Sequence, residues 1–154
     1  PTIWDVVSTG DNDGDGNADV MWRHSVTGQA WLYLMNGATI ARSLGIATVP
    51  MVWDIAGTGD YNGDGNADIL WRHSGTGQNW MYLMSGSTIS SSLGVNTVAD
   101  TNWIVAGSGD YNGDGLCDLI AYNGSDNNFY FYKGSDVNFL ETTYIGLYKN
   151  ENYY

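Results

Sequence analysis

The sequence is short of cations. Lys and Arg total 5 against 17 Asp and Glu, a formal charge of −12. Such a surface cannot neutralise a row of phosphates, which excludes a nucleic-acid binder working through a basic patch. It equally disfavours adhesion to anionic lipid. Cysteine occurs once, at Cys117, so no internal disulfide framework exists. No apolar run approaches the roughly 20 residues that a membrane-spanning helix needs, so no membrane insertion is expected. Proline occurs only twice, and long Ala/Leu/Glu/Lys stretches with helical periodicity and caps are missing. Disorder is excluded from the opposite direction, because 43% of residues are hydrophobic and 14% aromatic, whereas disordered acidic chains are poor in both. What is plentiful is glycine, 21 of 154 residues, in a composition that suits many short strands joined by tight turns. The chain opens at Pro1 without a Met, which reads as a mature or trimmed product and is compatible with export.

Internal repetition organises everything else. Trp4, Trp53 and Trp103 open three similar segments at spacings of 49 and 50 residues. Residues 4–49 set against 53–98 without a gap share 30 of 46 positions. The third copy keeps its opening and then drifts: Trp22-Arg23-His24 and Trp71-Arg72-His73 become Ala121-Tyr122-Asn123. The units are 1–52, 53–102 and a divergent, terminal 103–154. In the second copy the expected strands are Trp53–Gly57, Ala67–His73, Asn79–Met84 and a weaker Thr88–Val98, separated by Gly-rich turns. The second of these alternates, with Ile69, Trp71 and His73 on one face and Leu70 and Arg72 on the other. Four strands every 50 residues or so is the arithmetic of a propeller blade. The expected fold is all-β, a β-propeller-type array of three four-stranded antiparallel blades. Propellers usually need about four to eight blades, so this one closes into a ring only by oligomerisation or within a longer chain.

Between the first two strands of every unit lies an acidic loop with the pattern D-x-[DN]-x-D-G-x-x-D. Side-chain oxygens at positions 1, 3, 5 and 9, with a backbone carbonyl at 7, can wrap one hard cation, and the Gly at position 6 permits the sharp turn. Ca²⁺ takes six to eight oxygens, which suits this set better than Mg²⁺ or a transition metal. The helix–loop–helix calcium hand needs an acidic residue at position 12, where this chain has Trp22, Trp71 or Ala121. Ten of the 17 acidic residues lie in these loops. Without metal their repulsion should open each loop, so calcium binding and folding are expected to be coupled, at about three Ca²⁺ per chain and in a structural role.

The run from Ala56 to Arg72, with its counterparts, resembles FG-GAP/VCBS repeats. These are the calcium-loop blades of integrin-α-like propellers, of a fungal lectin and of many secreted bacterial proteins. The resemblance covers nearly the whole chain. It implies metal ligands at Asp11, Asp13, Asp15, Asn17 and Asp19, at Asp60, Asn62, Asp64, Asn66 and Asp68, and at Asp110, Asn112, Asp114, Leu116 and Asp118. The seventh position of each set acts through its backbone carbonyl. It also implies an extracellular or cell-surface setting and a role in binding or adhesion, without fixing a ligand.

The aromatic residues have two readings. Trp22, Trp31, Trp71 and Trp80 either pack blade against blade or, in part, line a glycan pocket, since sugar rings stack on electron-rich faces. Arg23-His24 and Arg72-His73 either donate to a ligand or serve the structure, Arg capping an Asp such as Asp5 or Asp54 and His bonding backbone. Catalysis is not expected. The chain has no G-x-S-x-G, zinc-spaced His cluster or phosphate loop, and its paired carboxylates lie only inside the cation loops. The expected function is therefore a secreted calcium-binding module recognising carbohydrate or a cell-surface protein, and a homo-oligomer or part of a larger assembly. A structural subunit of an oligomer or filament, and an accessory domain of a larger secreted enzyme, are the alternatives.

Overall fold

A computed structural model of the chain describes residues 3–135 and 138–147. The outer ends of the first and third units as bounded above, and residues 136–137, lie outside the described residues. Every element is a strand: β1 (Trp4–Gly10), β2 (Asp19–His24), β3 (Gln29–Asn36), β4 (Thr39–Thr48), β5 (Trp53–Gly59), β6 (Asp68–His73), β7 (Asn79–Ser85), β8 (Thr88–Val95), β9 (Trp103–Gly109), β10 (Asp118–Asn123), β11 (Asn128–Ser135) and β12 (Asn138–Leu147). They form three four-stranded antiparallel meanders, β1–β4, β5–β8 and β9–β12. The sheets are not closed on one another. The fold is an unclosed, propeller-like array of three blades.

The first strand of each blade is the innermost. β5 lies against β1 on one side and β9 on the other. The Ser8 and Thr58 hydroxyls share a hydrogen bond, and the Ser108 hydroxyl donates to the Thr58 carbonyl at 3.0 Å. One backbone bond stitches each of the second and third loops to the loop before it: Ala67 N–H donates to the Asp11 carbonyl at 2.9 Å, and Cys117 N–H to the Asp60 carbonyl at 2.7 Å. Gly59 is required at this approach, since a Cβ there would collide with Cys117 Sγ.

Alternation is visible where only one face is covered. β2 of the first blade buries every second residue. In the central blade the expected alternation gives way: Asp68, Ile69, Leu70 and Trp71 are all buried, because β6 is sandwiched between two neighbours. Ile69 and Trp71 join Met21, Leu32 and Val49 in the core between the first and second blades. Leu70 joins Tyr61, Met81, Cys117 and Leu119 in the core between the second and third. The first strand runs two residues beyond its expected end. The fourth stops at Val95, three residues short of its expected end, because the chain turns away there and Val98 N–H donates to the Gly77 carbonyl at 3.0 Å.

Candidate metal centre and blade-junction cleft

Each acidic loop is wound around its first carboxylate. Asp11 accepts from the N–H groups of Gly14, Asp15 and Gly16 at 2.7, 3.0 and 2.8 Å. Asp60 does the same for Gly63, Asp64 and Gly65 at 2.6, 3.1 and 2.7 Å. Asp110 holds Gly113, Asp114 and Gly115 at 2.7, 3.2 and 2.9 Å, and these bonds, the Gly115 N–H first, keep its carboxyl below the usual range. The sixth-position glycines Gly16, Gly65 and Gly115 sit at φ 87°, 86° and 88°, the left-handed region that the turn demands. The fifth-position carboxylates of Asp15, Asp64 and Asp114 accept from the N–H groups of Asn17, Asn66 and Leu116.

The ninth-position carboxylates do something the loop pattern does not announce. Asp19, Asp68 and Asp118 are fully buried. One oxygen of each accepts from the loop's second residue, Asn12, Tyr61 or Tyr111. The other accepts from the blade's third strand, at Met35, Met84 or Gly134. Each therefore ties the loop to the sheet. Burial pushes Asp68 up to about 6, the N–H groups of Met84 and Tyr61 working against it and Asp64 and Asp60 adding to it.

The donor set is all oxygen and its charge is crowded. Carboxylate oxygens of Asp11, Asp13 and Asp15 lie within 4.8 Å of one another. Burial, then Asp15 and Asp19, raise the Asp13 carboxyl. In the second and third loops Asn62 and Asn112 replace the middle carboxylate, and their amide oxygens accept from Asp64 N–H and Asp114 N–H. The third loop differs again, because Lys133 Nζ stands 3.7 Å from Asp114 Oδ2. Hard oxygens around a dry carboxylate fit a hard divalent cation and offer nothing to a soft one.

The Arg-His pairs sit at the blade junctions. Arg23 Nη2 donates to the Val49 and Pro50 carbonyls at 3.1 and 3.2 Å, and its guanidinium lies 4.9 Å from the Trp71 ring centre. Arg72 donates to the carbonyls of Gly77, Val98 and Asp100 and to Asn79 Oδ1. Capping of Asp5 or Asp54 is thus replaced by capping of carbonyls of the inter-blade connection. His24 Nδ1 accepts from Val26 and Thr27 N–H, and His73 Nδ1 from Gly75 and Thr76 N–H.

Of the tryptophans, Trp71 is core at 1% exposure and Trp80 is 40% exposed. Trp80 lies over Gly94, where a Cβ would stand 3.2 Å from the ring, and donates from Nε1 to Ser92 Oγ at 2.9 Å. Trp31 repeats this over Gly45 with Ser43. Trp22 packs 5.6 Å from the Tyr33 ring. Between the first two blades Thr48, Pro50, Trp53, Trp80 and Tyr82 line a groove of about 290 Å³. The pattern reading missed Tyr61, the loop's second residue, which is buried between Gly57, Ser108 and Cys117. Only the small residues at 57 and 108 signal the space it needs.

Residues 11–71 and 60–121 match the FG-GAP-like repeat family. The chain belongs to that family. Each matched span begins at the first Asp of one loop and ends on the second strand of the next blade, so an FG-GAP-like unit here is the segment joining two loops. No curated protein matches the chain.

Proposed function

We propose that this FG-GAP-like chain is a secreted, calcium-stabilised recognition module without catalytic activity, binding carbohydrate in the groove between its first and second blades. The observation that carries the reading is Trp80, a large aromatic face left 40% exposed in a junction groove while its cross-strand neighbour in the same blade, Trp71, is used as core. A flat ring held over Gly94 and fixed by Ser92 is preorganised for the C–H face of a sugar. The cation would be held by Asp11, Asp13, Asp15 and Asp19, by Asp60, Asn62, Asp64 and Asp68, and by Asp110, Asn112, Asp114 and Asp118, with the carbonyls of Asn17, Asn66 and Leu116. Bound calcium supplies charge neutralisation, moving −12 to −6 for three ions, and no chemistry of reaction. The third loop, with Lys133 already against Asp114, binds most weakly.

The test is a glycan array in millimolar calcium, with a chelator-treated duplicate. Calcium-dependent hits that Trp80→Ala abolishes, with its melting temperature retained, support the reading. A blank array from folded protein removes it.

A second reading, assembly, has its own observation. Tyr61 and Tyr111 occupy the same loop position, yet Tyr61 is 1% exposed under the third blade and Tyr111 is 51% exposed. A further blade, supplied by a second copy, would cover Tyr111 as the third covers Tyr61.

A further inference from the structure

The two blade junctions are built from equivalent residues, with one exchange that matters. At the first junction Trp71 on β6 fills the space between blades, packed against Met21, Val49 and Ile69 and lying under the Arg23 guanidinium. Its Nε1–H donates to no atom among the described residues, so the indole is held by its faces and edges. At the second junction Arg72 takes the place of Arg23, but Ala121 on β10 takes the place of Trp71. No other described side chain fills the space. A cleft of about 60 Å³ remains, lined mainly by Leu70, Val95, Trp103, Val105, Leu119 and Tyr132, with Ala121, Arg72, Asn79 and Asn96 also at its wall. One water needs roughly 10–15 Å³ of such space, so the cleft has room for about four, and a ring entering it would stand partly in its open mouth. Its walls give those waters few partners. Ile104, 55% exposed, stands at the lining too, so the cleft communicates with solvent.

The cation on its wall selects the occupant. The terminal nitrogens of Arg72 are committed to Gly77, Asn79, Val98 and Asp100 oxygens at 2.9–3.2 Å. Those bonds fix the guanidinium plane and use its in-plane donors, leaving no fork for a carboxylate or phosphate. The positive face is what remains, and its charge complement is the negative face of a π system. The first junction shows the same pairing satisfied internally, with Arg23 over Trp71.

We propose that the cleft between the second and third blades is a binding site for a small planar aromatic ligand, whose ring takes the place of the missing indole and stacks on Arg72. The site shares no lining residue with the sugar groove of the first junction. It stands whether or not a glycan array is blank.

The experiment titrates 5-fluoroindole into the whole chain in millimolar calcium, read by ¹⁹F line broadening and shift. Cyclohexylmethanol, added as a competitor, serves as the saturated-ring control. Ala121→Trp restores the internal indole, and Ala121→Leu is a smaller plug should the first variant fail to fold by its melting curve. Saturable binding by the parent is expected, weakened by about tenfold or more in the plugged variant, with cyclohexylmethanol competing at least about tenfold less well than unlabelled indole. Absence of saturable binding, or equal binding by the plugged variant, overturns the site. Equal competition by the saturated ring overturns the Arg72 stacking.

Discussion

At the residue scale, the informative position is the ninth of each acidic loop. Asp68 is fully buried, and both oxygens accept backbone N–H bonds, from Tyr61 at 3.1 Å and Met84 at 2.8 Å. An Asn in its place has a single acceptor oxygen, so one buried N–H is orphaned and an amide N–H₂ is turned toward another donor. That change should cost about 1–3 kcal/mol. The geometry separates this cost from any cost in cation binding. Asp68→Asn is expected to lower stability in chelator, where only the backbone clamp is lost. It should lower it further in calcium, where a ligand is lost as well. Denaturant unfolding under both conditions checks it: an equal loss in calcium and chelator removes Asp68 from the ligand set, and no loss in chelator removes the clamp. The loop pattern in the sequence names Asp68 as a ligand and is silent on the clamp, because Met84 lies sixteen residues away on another strand.

At the element scale, the junction strands β2, β6 and β10 decide how blades adhere. Trp71 on β6 is 1% exposed and stacks under Arg23, so Trp71→Ala removes a core indole and leaves a buried guanidinium facing a void. Truncations of this kind cost about 3–5 kcal/mol. The expected outcome is a thermal midpoint well below that of Trp80→Ala, whose ring lies at the surface; similar midpoints for the two variants would contradict the assignment of Trp71 as core. The strands themselves were legible in the sequence because repetition multiplies a weak signal. Three copies of one glycine-bounded pattern locate twelve strands that a single copy would leave ambiguous. What each strand faces was less legible. β6 alternates in its letters, but a central blade has neighbours on both sides, and its burial follows from blade order rather than from period. The choice between Trp71 as core and Trp80 as surface was likewise hidden, since both are Trp on adjacent strands of one blade. Gly94 beneath Trp80 is the residue that separates them, and it does so only once β7 and β8 are paired. The sequence offers Arg23 and Arg72 either a ligand or an Asp as partner, yet their bonds go to carbonyls of the connection at 49–50 and 98–100, which no side-chain pattern displays.

At the scale of the whole molecule, the array ends in two unlike faces that match the two sides of an internal junction. On the third blade Tyr111 is 51% exposed beside Gly107, in the setting where Tyr61 stands beside Gly57. Tyr61 is covered because Ser108 and Cys117 of the next blade close over it. On the first blade the residues in register with these are Thr9 and Ala18, small enough to receive a tyrosine in the same way. Val6 there is 53% exposed, so the first blade's end face carries apolar surface that a preceding blade would cover. A head-to-tail contact between copies would continue the same stitches, Ala18 N–H to the Asp110 carbonyl and the Thr9 hydroxyl to the Ser108 carbonyl, with no new chemistry. Light scattering in millimolar calcium should therefore report a mass above that of one chain. Tyr111→Glu, which places a charge where the packing tyrosine stood, should return it toward 16.8 kDa while leaving the melting temperature of each chain's own junctions nearly unchanged. Tyrosine iodination gives an independent reading: Tyr61 should be protected throughout, and Tyr111 protected in the parent's associated form and reactive in Tyr111-exposed single chains obtained by dilution. A parent that scatters as one chain at tens of micromolar, with Tyr111 freely iodinated, would leave the end faces open and the assembly reading without support.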